Sequence, residues 1–411
     1  MKKILFLFDN NKRNFRQVVR FYYIIDALSR AYDVTLLVAD NDFDYTFLPS
    51  SIDVHKFKVI SNRHWVYKIP KLRALTNIPY GLGKEDRDLL RSWKLALKDI
   101  EAERFPVIFS MGSDAKCISH IALDQYAVRQ SKKILYVHDP CPAMWNIDAY
   151  ATGANLFNFR LKSVFRKVFS RADALIFPSE LLIEWMDRKV QGISARSFVI
   201  PHIASEPITV GGDNNKDILS ELSAFQNNFI ISHIGDLYES RKIHPFVEAM
   251  KQLIDEDASF ARQAVFIQLG NNLNKEPVDL GHFEKNFRFF NVRLPYHTSI
   301  ALLQKSHLSL IIEAPGDYSP YMPGKMADIL YHQRPVLALT PEKSEVRRIL
   351  GRDYPYTAQP DNVQEIYEAL KKAWEKRKEG NLILPGAGQL KHYVSQANFL
   401  ARFGKIIDKT H

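Results

Sequence analysis

A chain of 411 residues is too long for one ordinary core and long enough for two domains of about 200 residues each. With 46% hydrophobic and 25% charged residues its composition is that of an ordinary globular protein, which excludes a disordered chain. The formal charge of +10 favours anionic partners, whether small anions, acidic lipids or nucleic acid, and does not choose among them. The first apolar run, Ile4 to Phe8, stops at Asp9, too soon for the roughly 7 to 15 residues of a signal-peptide core, and predicts a buried first strand. No stretch approaches the roughly 18 apolar residues of a membrane span. Cys117 and Cys141 are the only cysteines, which predicts reduced thiols in the cytoplasm, and the absence of Cys/His ligand spacing predicts no structural zinc.

Short β-branched and aromatic runs then alternate with longer stretches of helical period, the pattern of repeated βα units and a parallel sheet. Strands are predicted at Lys3 to Phe8, Val34 to Val38, Val54 to Val59, Val107 to Ser110, Ile134 to Val137, Ala174 to Phe177 and Ser197 to Ile200. Between the first two lies an amphipathic stretch from Asn14 to Tyr32 with Val18, Phe21, Tyr22, Ile25 and Leu28 on one face. The polar stretch Glu206 to Lys216 reads as a linker, after which strands restart at Phe229 to Ile234, Ala264 to Leu269, Arg288 to Val292, Leu308 to Ile312 and Pro335 to Ala338. Lys391 to Lys409 reads as a helix. The expected fold is α/β, two doubly wound parallel-sheet domains at 1–205 and 206–390 with a tail at 391–411 packing toward the first, and ligands bound where the carboxyl ends of the strands face a cleft.

Two stretches of the second domain carry chemistry. After the strand ending at Ile234 come Gly235, Asp236, Leu237 and then Arg241 and Lys242 ahead of a helix at His244; such a turn lets backbone approach a ligand while either cation meets a diphosphate. Further on, Glu313-Ala314-Pro315-Gly316-Asp317-Tyr318-Ser319-Pro320-Tyr321-Met322-Pro323-Gly324-Lys325-Met326-Ala327-Asp328 leads to Arg334-Pro335-Val336-Leu337-Ala338. Its glycine-containing loop enters a helix at Gly324, where amides from Tyr321 to Gly324 and the Lys325 charge suit phosphate oxygens.

These stretches resemble the donor-binding half of GT-B glycosyltransferases, especially retaining family four. The stretch at Gly235 is similar to the family's G-x-L-x-x-x-K/R turn, with Arg241 at its diphosphate-binding cation. The stretch from Glu313 resembles the P-[SG]-K-x-x-[ED] variant of its donor loop, with Asp328 at the second acid of the E-x7-E motif, which holds the ribose. The first acid is replaced by Pro320, so the resemblance leaves Glu313 or Asp317 to meet the donor sugar, or else backbone and Tyr318. Gly270-Asn271 and Leu294-Pro295-Tyr296 are expected to contact the base, with uridine the default.

The first domain resembles the family at three places: Tyr136-Val137-His138-Asp139, Arg171 to Glu180, and Ile200-Pro201-His202-Ile203. Its usual Gly-Gly loop is absent, and Asn10, Asn11 and Arg13 stand in its place as candidate acceptor contacts. The resemblance implies a hexosyltransferase that moves a sugar from a nucleoside-diphosphate donor to a glycan or lipid-linked acceptor in bacterial surface polysaccharide synthesis. It implies retention, with His138, Asp139, Glu313 and Asp317 as candidate catalytic groups and no cofactor; Arg241, Lys242, Lys325 and the Tyr321 to Gly324 amides are expected to neutralise the leaving group, so that no metal is needed. Two basic clusters with aromatics, Lys56 to Arg73 and Asn158 to Arg171, would suit an anionic membrane face, and the expected location is the cytoplasm or its membrane surface. No nucleic-acid motif is present to support that partner. A non-catalytic sugar-nucleotide or partner-binding protein of the same shape, and a sugar-nucleotide epimerase, stay open as alternatives.

Overall fold

Strands that are apolar at almost every position must be covered on both faces, which is the condition of a parallel sheet flanked by helices. The computed structural model describes residues 1–9, 15–40, 45, 47–61, 81–112, 116–126, 130–151, 156–206, 223–238, 240–273 and 277–409. Within it, Lys3–Asp9 (β1), Asp33–Ala39 (β2), Asp53–Phe57 (β3), Val107–Gly112 (β4), Lys132–Tyr136 (β5), Ala174–Phe177 (β6) and Ser197–Val199 (β7) form one parallel sheet in the order β3, β2, β1, β4, β5, β6, β7. Ile4 sits opposite Val34 on one side and Val107 on the other, so β1 lies inside the sheet with both neighbours parallel.

The second sheet follows the same plan. Phe229–Ile234 (β8), Ala264–Leu269 (β9), Phe287–Phe290 (β10), Leu308–Ile312 (β11), Val336–Leu339 (β13) and Thr357–Ala358 (β15) run in the order β10, β9, β8, β11, β13, β15. Tyr318–Ser319 (β12) and Lys343–Ser344 (β14) make a separate parallel pair, Tyr318 opposite Lys343 and Ser319 opposite Ser344. In both sheets the strand order reverses beside the first strand of the unit. Open α/β sheets bind ligands at that switch point, outside the carboxyl ends of the two strands that flank it: β1 and β4 in the first unit, β8 and β11 in the second.

The chain divides into two compact units, Met1–Ile203 with Gln396–His411, and Ala204–Ser395. The first core is built around Trp93, Phe165, Phe169 and Phe177, and the second around Phe246, Phe266, Leu337 and Trp374, all essentially closed to solvent. The segment expected as one helix from Lys391 is two, Ala387–Tyr393 and Gln396–Lys409. The break falls where the chain passes from one unit to the other: Val394 stays with the second, accepting a hydrogen bond from Ala204 N (2.9 Å), whereas Gln396 hydrogen-bonds Tyr23 O and Asp26 in the first. Phe399 and Phe403 are fully buried there, Phe403 with its ring 5.0 Å from that of Phe109.

Several strand limits differ from the sequence expectation. β5 starts at Lys132, opposite Val107, rather than at Ile134, and β10 covers Phe287–Phe290 rather than reaching Val292. Backbone pairing with the neighbouring strand sets such ends, and apolarity alone does not report it. The expected linker lies, beyond Glu206, outside the described residues until well past Lys216.

Candidate functional site

β8 ends at Ile234 and its successor residues continue to pair with those following β9. Gly235 N donates to Leu269 O (2.6 Å), Leu237 N to Asn271 O (2.9 Å) and Leu273 N to Leu237 O (2.9 Å). The two segments press together at their glycines: a Cβ on Gly270 would stand 2.3 Å from both the carbonyl carbon and oxygen of Gly235, and Gly270 has φ +134°. Gln268 locks the pair from beneath, donating to Gly235 O (3.0 Å) and Gly270 O (2.9 Å). Asp236, buried, accepts from Asn271 N (3.0 Å) and from Arg293 Nη2 (2.7 Å), so one carboxylate ties together the chain following β8, β9 and β10.

The other side of the switch point is the loop after β11. Glu313 is the first residue past the strand and is only 2% exposed. Its Oε1 accepts from Ser319 Oγ (2.6 Å), whereas Oε2 is buried without a hydrogen-bond partner. Burial pushes the Glu313 carboxyl up to about 7, opposed by the Ser319 hydrogen bond and by the Arg241 charge. Glu313 and Ser319 thereby clamp the loop between them, with β12 pairing to β14 as a second anchor. The loop delivers the helix Gly324–Tyr331, whose Pro323 cap position supplies no side-chain hydrogen bond and whose first turn carries the positive end of the helix dipole.

The residues singled out in the sequence meet as follows. Lys325 reaches back to β8: a Cβ on Gly235 would lie 2.5 Å from its Nζ, so the ammonium rests against bare glycine backbone at the switch point. Arg241 follows in the same turn, its guanidinium 5.6 Å from the centre of the Tyr238 ring and close enough to act on the Glu313 carboxyl. Tyr296 donates to Asp328 Oδ1 (2.7 Å), joining a candidate base contact to the candidate ribose acid. Tyr318 lies under Lys343 Nζ (5.3 Å), Met322 is buried, and Tyr321 and Pro323 are half-buried beside the exposed Gly324. Lys242 and Asp317 are exposed, and no contact joins either of them to this group among the described residues. The Asp236–Arg293 pair goes beyond the sequence expectation; a buried acid directly after the glycine turn is the available signal, since a buried carboxylate needs a cation or several donors.

In the first unit, His138 follows β5 and stacks on His202, ring centres 5.3 Å apart and planes at 17°. His138 Nε2 and His202 Nδ1 are both buried without hydrogen-bond partners. His120, fully buried below them, donates from Nε2 to Tyr136 O (3.2 Å), which makes its Nδ1 the acceptor for the Ser110 hydroxyl at 2.8 Å. Arg20 joins the group and donates to Ile203 O (2.6 Å). Burial, and secondarily the neighbouring imidazoles and Arg20, hold His138 down to about 3 and His202 well below the ordinary histidine range; burial alone takes His120 to about 4. Asp139 is exposed, and Asn10, Asn11 and Arg13 lie outside the described residues.

The three neutral imidazoles set the sign of an acid response. Their folded pKa values lie below the unfolded value, so stability is whole above about pH 6.5 and falls as the unfolded chain takes up protons that the folded chain refuses. By pH 5 each imidazole is expected to remove about 2 kcal/mol. Urea unfolding of the parent and of His138→Gln at pH 7.5 and pH 5 checks this: the variant should lose distinctly less stability over the interval, and equal losses would contradict the assignment.

The basic helix, observed at Leu156–Arg171, spends its aromatics differently from the sequence expectation. Phe165 and Phe169 are buried in the core, and Phe159 alone of the helix's described aromatics stands exposed. The basic residues Arg160, Arg166 and Lys167 therefore form a solvated face over an ordinary core. The other basic cluster lies, beyond Ser61, outside the described residues. No helix among the described residues is long and apolar enough to cross a membrane.

No protein-family profile and no curated protein matches the sequence. Solved structures do match. Alr3699/HepE of Anabaena, in complex with UDP, is 14% identical over the full length of both chains with a TM-score of 0.65. A UDP-forming α,α-trehalose-phosphate synthase from Burkholderia vietnamiensis is 11% identical, covering 98% of this chain and 99% of that one, with a TM-score of 0.61. A glycosyltransferase from Rickettsia africae ESF-5 is 12% identical over 100% and 98% of the two chains, again at 0.61. With the two doubly wound sheets, these likenesses establish the GT-B glycosyltransferase fold.

Proposed function

We propose that the protein is a glycosyltransferase that moves a sugar from a nucleoside diphosphate to an acceptor hydroxyl. The observation that carries the reading is the Lys325 ammonium held against Gly235 at the switch point of the second sheet. Arg241 and the amino-terminal turn of the helix at Gly324 flank it. Cations and backbone donors fixed in place before the bond breaks stabilise the charge that develops on a departing diphosphate. In this reading Lys325 and Arg241 take that charge without a divalent metal, and Asp328, oriented by Tyr296, receives the ribose.

Glu313 rather than Asp317 serves the sugar end, because it is ordered by Ser319 and keeps an unpaired oxygen. His138, neutral and with Nε2 unpaired, is suited to accept a hydrogen bond from a substrate hydroxyl. The Anabaena protein has been solved with UDP-glucose, which makes that donor the first to try. A glycan or lipid-linked acceptor of bacterial surface polysaccharide and retention at the anomeric carbon complete the proposal.

The replacement of the first motif acid by Pro320 favours the rival, a GT-B protein that binds sugar nucleotide without turnover. Incubation with UDP-glucose and a panel of glycan and lipid-linked acceptors, with and without EDTA, separates the readings. Release of UDP matched by glycosylated product and unaffected by EDTA is expected. Binding without product would establish the rival, an epimerised nucleotide sugar without acceptor use would establish an epimerase, and loss of turnover in EDTA would overturn metal independence.

A further inference from the structure

The second unit carries a cavity of about 360 Å³ that belongs to neither strand-end site. It is lined by His307 and Pro335, which immediately precede β11 and β13, and so lies at the amino ends of strands whose carboxyl ends carry the candidate donor site. That volume is within the usual size range of small-molecule pockets.

The ionisable side chains on its wall present donors only. Ile230 N donates to His307 Nδ1 at 3.1 Å, and since a backbone amide can only donate, Nδ1 is the bare nitrogen and Nε2 carries the hydrogen. Arg377 Nη2 lies 3.1 Å from that same Nε2. A guanidinium accepts nothing, so two N–H groups face one another and neither satisfies the other. The guanidinium charge makes protonation of the ring still less favourable: burial, then Arg377 and Arg334, hold His307 down to about 4. Arg334 stands on the same wall, positioned by a hydrogen bond from Nε to His332 O (3.1 Å). Among the described residues no carboxylate lines the cavity, and Glu379 is engaged by Lys376 (2.7 Å). An acceptor placed between Arg377 and His307 would turn the opposed donors into a pair of converging hydrogen bonds.

The lining also includes a run of apolar side chains. Leu384 is buried, Leu382 partly so, and Ile383 is 65% exposed, one of the most exposed large apolar side chains among the described residues. Arginine forks match the oxygens of phosphate and carboxylate groups, and an apolar chain attached to such a head would cover Ile383.

We propose that this cavity binds a small amphiphilic anion, its phosphate or carboxylate head held by Arg377, Arg334 and His307 Nε2 and its apolar chain laid over Leu382 and Ile383. The site is independent of the donor site and does not rest on the proposed transfer reaction. Titration of the full chain with n-octyl phosphate in a calorimeter tests it, with inorganic phosphate as the second arm.

Saturable one-to-one binding of octyl phosphate is expected, weakening with added salt and at least tenfold tighter than inorganic phosphate. The Arg334→Gln/Arg377→Gln double variant should lose at least tenfold for both probes, and Ile383→Ser should lose affinity for octyl phosphate alone. Unchanged thermal midpoints of the unliganded variants show that the fold is intact. An independent readout is the ¹⁵N spectrum of His307, which should report the neutral Nε2–H form before addition and a shifted Nε2 after it. Absence of saturable binding, binding undiminished in the double variant, or inorganic phosphate binding as tightly as octyl phosphate would overturn the assignment.

Discussion

Lys325→Ala is expected to weaken UDP binding by about 100-fold and to lower turnover of a UDP-sugar by about 1000-fold. A charge-assisted hydrogen bond contributes roughly 1.5–3 kcal/mol to a ground-state complex, and an electrostatic contact aimed at the leaving group contributes about 3–4 kcal/mol at the transition state. Arg241→Ala should lose less in affinity, about 10-fold, since its guanidinium is shared with the Tyr238 face and the Glu313 carboxyl. Lys325→Arg should not restore activity. The seat against Gly235 takes a compact ammonium, and a Cβ there would already lie 2.5 Å from Nζ, which leaves no room for a planar guanidinium. Calorimetric titration with UDP and single-turnover kinetics measure the two quantities. Parent-like affinity in Lys325→Ala would remove the central support for the proposed reaction.

Two glycine substitutions should have opposite characters despite their proximity. In Gly270→Ala the new methyl meets the backbone of Gly235 at 2.3 Å and Asp236 N at 2.8 Å, at a φ of +134° that side-chain-bearing residues rarely adopt. Backbone cannot step aside as a side-chain tip can, so a loss of about 3 kcal/mol or more in the stability of the second unit is expected. In Gly235→Ala the methyl meets the tip of Lys325, Nζ at 2.5 Å and Cε at 3.1 Å, and the lysine can swing away. Stability should fall less, whereas UDP affinity should drop almost as far as in Lys325→Ala. Urea unfolding followed by Trp374 fluorescence and calorimetry, run on both variants, distinguishes the two; equal stability losses would mean that the glycines do not divide the roles of packing and access.

The contrast shows what the sequence could convey. β8, β9 and β11 are legible to the residue because each is a short, largely apolar run bounded by polar turns, and the restart at Phe229 discloses a second unit. The two-residue strands β12 and β14 have no period to detect, yet they anchor the loop that carries Tyr321 to Lys325. Gly235, Arg241, Lys325 and Asp328 stand out because they occupy motif positions of a resembled family. Lys242 and Asp317 stand out for the same reason or by adjacency, and are exposed. Partners set by tertiary pairing leave little mark: Asp236 and Arg293 are 57 positions apart, and His138 meets His202 from a different strand end. Glu313 is legible as an acid near the site, but its burial and its Ser319 clamp emerge only from the fold.

The return of Gln396–Lys409 to the first unit sets an order of events during synthesis. Phe403 packs its ring against that of Phe109, with Phe399 stacked on it, and Arg402 donates to Val199 O (2.9 Å). The second unit is complete once residue 395 has left the ribosome, whereas the first, although translated ahead of it, must wait with an open core for residues made some 200 positions later. The nascent amino-terminal half is thus the aggregation-exposed stage of this chain's biogenesis, and cutting the gene between the two units yields a first fragment that lacks part of its own interior.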